Sequence, residues 1–521
     1  LLMATQEEFL EAVREGYRFE GESIKIGRAV FAGEVVEGAD VFLPLKTMNR
    51  HGLIAGATGT GKTKSLQMIS EALSEASVPV LLLDIKGDLS GIAMPGTANE
   101  KISERVQKLG LQYDPLGVPA ELLTLSEKPG VRLRATVSEF GPVLLSKILG
   151  LNDTQGGLVA MIFKYCDDAN LPLLDLKDFI KVLQYTSNEG KKEIEQTYGK
   201  ISTTSTGTIL RKVIELQQQG ADVFFGERSF EVDDLLRISD DGRGMVSILR
   251  VTELQDRPKL FSTFMLQLLA ELYATLPEEG DLDKPKLVLF IDEAHLIFND
   301  ATPVLLQQIE TVVKLIRSKG VGVFFCTQNP MDVPSSVLSQ LGMKVQHALR
   351  AFTAADRKTI KQAAENYPET PYYDTDAMLT QLGIGEAFVT LLNENGVPTP
   401  LVHTMMAPPR SRMDVLSDAE VAGIVKASKI RAKYNEVIDS ESAFELLTQK
   451  LATAQLQEVE IRNAAEAAKT EKSTARQEKE QSWMDNPMVK SAGRTAATML
   501  TRSLLGVLGL GSTGRRRKSF F

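Results

Sequence analysis

One string limits what this chain can fold into more than any other: Gly56-Ala57-Thr58-Gly59-Thr60-Gly61-Lys62-Thr63. It is a complete GxxxxGK[ST] that follows the apolar run HGLIA and opens the helix-patterned stretch KTKSLQMISEALSEA. A loop of this kind wraps phosphates with its backbone N–H groups, and side chains in place of the glycines would block that approach. The helix starting near Gly61 adds unpaired amides and the positive end of its dipole. Lys62 is expected to bridge the β and γ phosphates as a point charge, and the Thr63 hydroxyl to ligate Mg²⁺. Gly56 to Lys64 is thus the expected ATP-binding segment.

From His51 onward, apolar runs of four to eight residues alternate with helical stretches, the pattern of buried parallel strands with crossover helices. PVLLLD closes a βαβ unit with the loop, and GMVSILRV, KLVLFID, VGVFFCTQ and KVQHAL read as further strands. The expected fold is α/β with a mostly parallel sheet. GEAFVTLLN and VPTPLVHTMM read as a hairpin around Glu394-Asn395-Gly396. Four regions follow: a helix and small antiparallel β segment over 1–48, an ATPase core over 49–410, a mainly helical insertion within it at about 90–242, and a helical extension over 411–521 with a basic tail.

The phosphate loop needs carboxylate partners, and the run Leu287 to Ile291 ends in Asp292-Glu293. Asp292 at the strand end is expected to hold Mg²⁺ through its water shell, and Glu293 to polarise the attacking water. Alone, an Asp-Glu after a strand reads as a solvated turn; the pairing with the loop carries the inference. Gln328 follows the strand VGVFFCT, where a polar side chain either senses the γ-phosphate or caps a turn. Asp84, ending PVLLLD, either supports the Mg²⁺ shell or organises a turn.

Composition excludes several classes. A formal net charge of -9 offers no global attraction to nucleic acid, so any DNA contact has to be local. Cys166 and Cys326 are far apart and read as buried free thiols of a reducing cytoplasm. His51, His295, His347 and His403 are scattered without metal-cage spacing. The stretch LLMATQEEFLEAVREGYRF lacks a signal-peptide pattern, and no window reaches eighteen uninterrupted apolar residues, so a cytoplasmic chain without a transmembrane segment is expected.

In their order, GATGTGKT, LLLDIKGD, LVLFIDEAH and VGVFFCTQNP resemble the HerA/FtsK group of ATPases. The chain is most similar to its bacterial YjgR-type branch with a HerA-like helicase C-terminal domain, over roughly residues 20 to 410; the tail string GRTAATMLTRSLLGVLGLG is a less specific likeness. The resemblance implies a RecA-like core assembled as a hexamer, ATP sites between subunits, duplex DNA in a central channel, and translocase or helicase activity. In archaeal HerA it also implies a nuclease partner. It further implies an arginine finger from the adjacent subunit, for which Arg350 and Arg317 are the candidates. The short amino-terminal β segment and the long helical insertion depart from archaeal HerA, which weakens any transfer of partner or substrate. The alternative reading is an ATP-dependent switch or scaffold acting on a protein partner without moving DNA.

Weaker signals carry two readings each. Lys191, Lys192, Lys200, Arg211 and Lys212, with Arg357, Lys358 and Lys361, either track a phosphate backbone or form solvated helix faces between acidic residues. Leu504 to Leu508, followed by Arg515 to Lys518, reads as a disordered or protein-docked tail, with a membrane-surface anchor or a nucleic-acid contact as the other readings.

Overall fold

A computed structural model describes residues 5–484, apart from 253–256, 281, 300–302, 437 and 439. Twelve strands form one sheet: β1 Ser23–Phe31, β2 Glu34–Pro44, β3 Gly52–Ala55, β4 Val80–Asp84, β5 Ala120–Thr124, β6 Val131–Arg132, β7 Val246–Arg250, β8 Leu287–Ile291, β9 Val321–Thr327, β10 Met343–His347, β11 Glu386–Thr390 and β12 Val402–Met406. Their order is β2-β1-β12-β11-β10-β3-β9-β8-β4-β7-β5-β6. From β10 to β6 every pairing is parallel, and from β10 outward to β2 every pairing is antiparallel. The architecture is therefore the expected α/β fold with a mostly parallel sheet.

Burial explains this arrangement. Strands β3, β4, β8 and β9 are buried along their whole length, which requires helices on both faces of the sheet. Helix Lys62–Glu75 crosses from β3 to β4, with Leu66, Ile69 and Leu73 fully buried in a core shared with Ile54, Val80, Leu82 and Phe324. At about 25 cal/mol per Å² of apolar surface, each such side chain contributes roughly 2 kcal/mol. Parallel strands and right-handed crossovers bring the carboxyl ends of β3, β4, β8 and β9 to one edge, where the loops carrying Gly56, Asp84, Asp292 and Gln328 meet.

The amino-terminal helix Gln6–Gly16 is closed by a Thr5/Glu8 capping box. Hairpin β1–β2 extends the central sheet through Gly27↔Met406 pairing with β12, and Phe9 packs on Phe31, Tyr372 and Tyr373. The stretch at about 90–242 carries helices Val137–Ile148, Asp153–Asp168, Leu176–Ser187, Lys191–Tyr198 and Thr203–Gln218. It also supplies β5 and β6, which add two parallel strands at the sheet's far edge. The hairpin read around Asn395-Gly396 is β11–β12, with Gly396 at φ 77°.

Contacts divide the chain into one unit ending at Leu447 and a second from Thr448. A helix of 42 residues, Ala443–Met484, starts with Ala443 and Leu447 buried. Within the second unit it is polar, with Leu456, Val459 and Ile461 exposed. The tail strings Leu504 to Leu508 and Arg515 to Lys518 lie outside the described residues. Among the described residues, no helix is long and apolar enough to cross a membrane. Cys166 and Cys326 are buried free thiols.

Candidate active site

The phosphate loop leaves β3 and turns back into helix Lys62–Glu75 through Gly61, at φ 111°. That angle suits glycine, and a Cβ there would also lie 2.9 Å from the Gly385 backbone. A Cβ on Gly56 would lie 2.5 Å from Cβ of His347, so this position too is held to glycine by close packing. The loop's base is fixed by Gly56 N–H donating to the Thr327 carbonyl at 3.1 Å and Ala57 N–H to the Ala348 carbonyl at 2.9 Å. Thr60 Oγ1 closes the turn onto the Ala57 carbonyl at 2.7 Å. The N–H groups of Thr58, Gly59 and Gly61 meet no protein acceptor among the described residues.

Lys62 is 5% exposed, and its Nζ lies 3.9 Å from both Asp292 Oδ1 and Glu293 Oε1. Among the described residues neither that Nζ nor Asp292 Oδ2 has a hydrogen-bond partner, although both are buried. An ammonium left in that state costs about 1–3 kcal/mol or more, a cost a polyphosphate ligand removes. The loop's free amides, the unpartnered Lys62, the hydroxyl of Thr63 and the oxygen of Asp292 therefore fit a nucleoside triphosphate with its cation. Among the described residues no group of three His, Cys, Asp or Glu side chains could hold a metal alone.

The two carboxylates are tuned apart. Burial pushes the Asp292 carboxyl above the usual carboxylate range, against the pull of Lys62. Burial acts the same way on Glu293, but the hydrogen bond from Lys86 and the charges of Lys62 and Lys86 outweigh it and hold Glu293 below its ordinary value. Lys86 Nζ pairs directly with Glu293 Oε1, and His295 Nδ1 stands 3.1 Å from Oε2. Glu293 itself sits at φ 48°, a conformation that costs a non-glycine residue about 1 kcal/mol or more and is typical of side chains held for a task.

The remaining sequence-derived residues fall into place unequally. Gln328 is exposed, and its Oε1 accepts from Thr58 Oγ1 at 3.4 Å, so it faces the loop. The capping in that turn is done by Asn329 and Asp332 instead. Asp84, pushed up to about 7 by burial, accepts from the N–H groups of Gly87, Asp88 and Leu89 at 2.7, 3.2 and 3.2 Å, so it organises its own turn. Arg350 lines a cleft of about 500 Å³ with Ala57, Thr58, Gln328 and Phe352. Arg317 lies just before β9, at the opposite end of the sheet and roughly 20 Å from the loop, given about 3.3 Å per strand residue.

Lys64, the last residue of the expected ATP-binding segment, turns its side chain away from the loop. Its ammonium is committed to Gln67 Oε1 at 3.2 Å and the Met413 carbonyl at 2.5 Å, and its N–H to the Gly61 carbonyl. A helix rotates about 100° per residue, so the side chain following Thr63 leaves the phosphate side. The residues that sequence reasoning passed over are Lys86 and His295. Both stood beside the motifs, in DIKGD and DEAH, and a charge count around Glu293 would have singled them out. The basic residues considered for DNA are partly spent in local pairs, Lys191 with Glu195 and Lys212 with Glu215.

A family model described as Helicase HerA-like C-terminal matches residues 31–518. The DNA double-strand break repair helicase HerA of Sulfurisphaera tokodaii is 24% identical over 392 residues, 74% of this chain and 69% of that protein. Its namesake in Sulfolobus acidocaldarius is 21% identical, covering 71% and 67% of the two chains. The trigonal form of the bacterial conjugative coupling protein TrwBdeltaN70, in complex with sulphate, aligns at a TM-score of 0.50 and 14% identity, over 80% of this chain and 95% of that one. That likeness speaks to the fold alone. The chain belongs to the Helicase HerA-like C-terminal family.

Proposed function

We propose that this chain is an ATP-hydrolysing motor that works as a hexamer on duplex DNA. The observation that carries the hydrolytic part is the buried Lys62 ammonium, without a hydrogen-bond partner among the described residues and 3.9 Å from Asp292 and Glu293, beneath a glycine loop with free amides. The DNA is supported by membership of the family and by relatives named as DNA double-strand break repair helicases, and the ring is what the resemblance to HerA/FtsK ATPases implies.

The work divides among the chain's own residues. The loop amides and Lys62 bind and orient the phosphates, and because Lys62 is already desolvated it needs no reorganisation when charge develops. Thr63 and Asp292 would hold Mg²⁺, which supplies charge neutralisation between the phosphate oxygens. Glu293, kept ionised by Lys86, takes a proton from the attacking water. Gln328, beside Thr58, reports the phosphate end of the site. Arg350, which shares a cleft with Thr58 and Gln328, is one candidate for the finger given to the adjacent subunit's site. Arg317, at the other end of the sheet, reaches a phosphate only in another copy.

The test is steady-state ATP hydrolysis by the full chain with and without duplex DNA at low salt, alongside Lys62→Ala. Hydrolysis that DNA stimulates and that Lys62→Ala abolishes is the expected result, with a hexamer by light scattering in ATP and Mg²⁺. Hydrolysis indifferent to DNA would move the reading to an ATP-dependent switch on a protein partner. A monomer would count against the ring.

A further inference from the structure

The phosphate loop has a direction. Lys62 points toward Asp292 and Glu293, and Thr58 meets Gln328, so the reacting phosphate belongs at that end. A nucleoside attached to a phosphate bound there would run toward the other end, over Thr60, Gly61 and the first turn of the helix. One segment lies directly against that end, the turn Gly383-Ile384-Gly385. Gly385 N–H donates to the Thr60 carbonyl at 2.8 Å, and the two glycines, Gly61 and Gly385, allow the backbones to touch.

The turn is clamped from three sides. Arg105 donates to the carbonyls of Ile384 at 2.6 Å, Gly385 at 2.8 Å and Met406 at 3.3 Å. Glu386 accepts from Gly383 N–H at 2.9 Å and stands 3.0 Å from His403 Nε2. Met406 N–H also donates to the Gly385 carbonyl at 3.0 Å. Yet the side chain this clamp presents is an isoleucine, 70% exposed. Singly exposed apolar side chains are ordinary on a protein surface; this one is set apart by the clamp beneath it and by the bond of its neighbour Gly385 to the phosphate loop.

We infer that Ile384 is the seat of the nucleotide base, with Arg105 as its positioning residue. The inference rests on the ATP reading above. Phe352, 87% exposed, is the rival surface, but it lines the cleft with Thr58 and Gln328, at the phosphate end. The turn's carbonyls and the N–H groups of Gly383 and Gly385 are spent within the fold, which leaves the Ile384 side chain to meet the base by its face. A grip by the face alone predicts ATP and GTP affinities within about fivefold of each other.

The experiment is calorimetric titration of the full chain with ATP, GTP and inorganic tripolyphosphate, each with Mg²⁺, for the natural chain, Ile384→Asp and Ile384→Leu. Ile384→Asp is expected to weaken ATP about tenfold and leave tripolyphosphate within twofold, while Ile384→Leu keeps ATP within twofold. Unchanged ATP affinity in Ile384→Asp would overturn the inference. So would equal losses of ATP and tripolyphosphate, which would make the turn a support of the phosphate loop. A preference for ATP over GTP beyond tenfold would overturn the face-only grip. Failure of the natural chain to bind either ATP or tripolyphosphate would instead sink the ATP reading itself, so the two failures are distinguishable.

Discussion

Replacing Glu293 by Gln keeps the side chain's shape and its φ of 48° and removes only the charge. The carboxylate is 5% exposed, ion-paired to Lys86 and 3.9 Å from Lys62, so it is ionised at neutral pH and free to accept a proton. A general base contributes about 10²- to 10⁴-fold, so the variant should lose roughly 3–5 kcal/mol of transition-state stabilisation. Binding should move the other way. Removing a negative charge that shares Lys62 with the phosphates relieves repulsion and should hold ATP affinity or raise it about two- to fivefold. Stability should change little, because the Lys86 side chain is 34% exposed and solvent screens the pair to under about 1 kcal/mol. Single-turnover phosphate release and calorimetric ATP binding on one preparation read both effects. Hydrolysis within threefold of the natural chain would refute the assignment of Glu293 as the base. Loss of ATP binding with hydrolysis would refute the charge argument.

Lys86→Met should lower the hydrolysis rate about tenfold or more at neutral pH while leaving ATP bound, because it removes the cation that keeps Glu293 ionised against burial; an unchanged rate would show that Lys62 suffices. Gly61→Ala places a Cβ 2.9 Å from Gly385 and forces φ 111° on alanine, so ATP affinity should fall at least tenfold and the unfolding free energy by about 1–2 kcal/mol. Calorimetry and urea unfolding read these, and near-native affinity would refute the close packing. His51 is buried, hydrogen-bonded to the Val313 carbonyl at 2.7 Å and to Val323 N–H at 3.0 Å, and pushed down to about 4 by burial. Its folded value lies below the unfolded value of about 6.5. The stability it contributes is therefore full above pH 6.5 and is lost as pH falls from there toward 4, by up to roughly 3 kcal/mol. Urea midpoints at pH 7.5, 6 and 5 should decline accordingly, with a shallower decline in His51→Gln; identical slopes would refute the assignment.

What could be read from the sequence was whatever chemistry is written in neighbouring residues. The phosphate loop, the carboxylate-tipped β8 and the buried runs of β3, β4 and β9 each declare themselves within about ten positions, because a strand buried on both faces must be apolar throughout. Strands β5 and β6 fell inside a stretch read as mainly helical, since AELLT is too short to show a period and β6 is two residues long. The attachment of β1 to β12 pairs Gly27 with Met406, a contact no local pattern encodes. The same distinction divides the site. Asp292 and Glu293 could be named from their own motif, but the ionisation of Glu293 depends on Lys86 at the end of another strand, and the turn at Ile384 depends on Arg105 from a separate helix. Lys64 follows Thr63 in the chain, yet one helical step of about 100° directs its ammonium to Gln67 and the Met413 carbonyl. A motif in such a site specifies which groups meet the phosphates. The charge state and reach of those groups are set by residues brought in by the topology, and these are where variants should separate hydrolysis from binding.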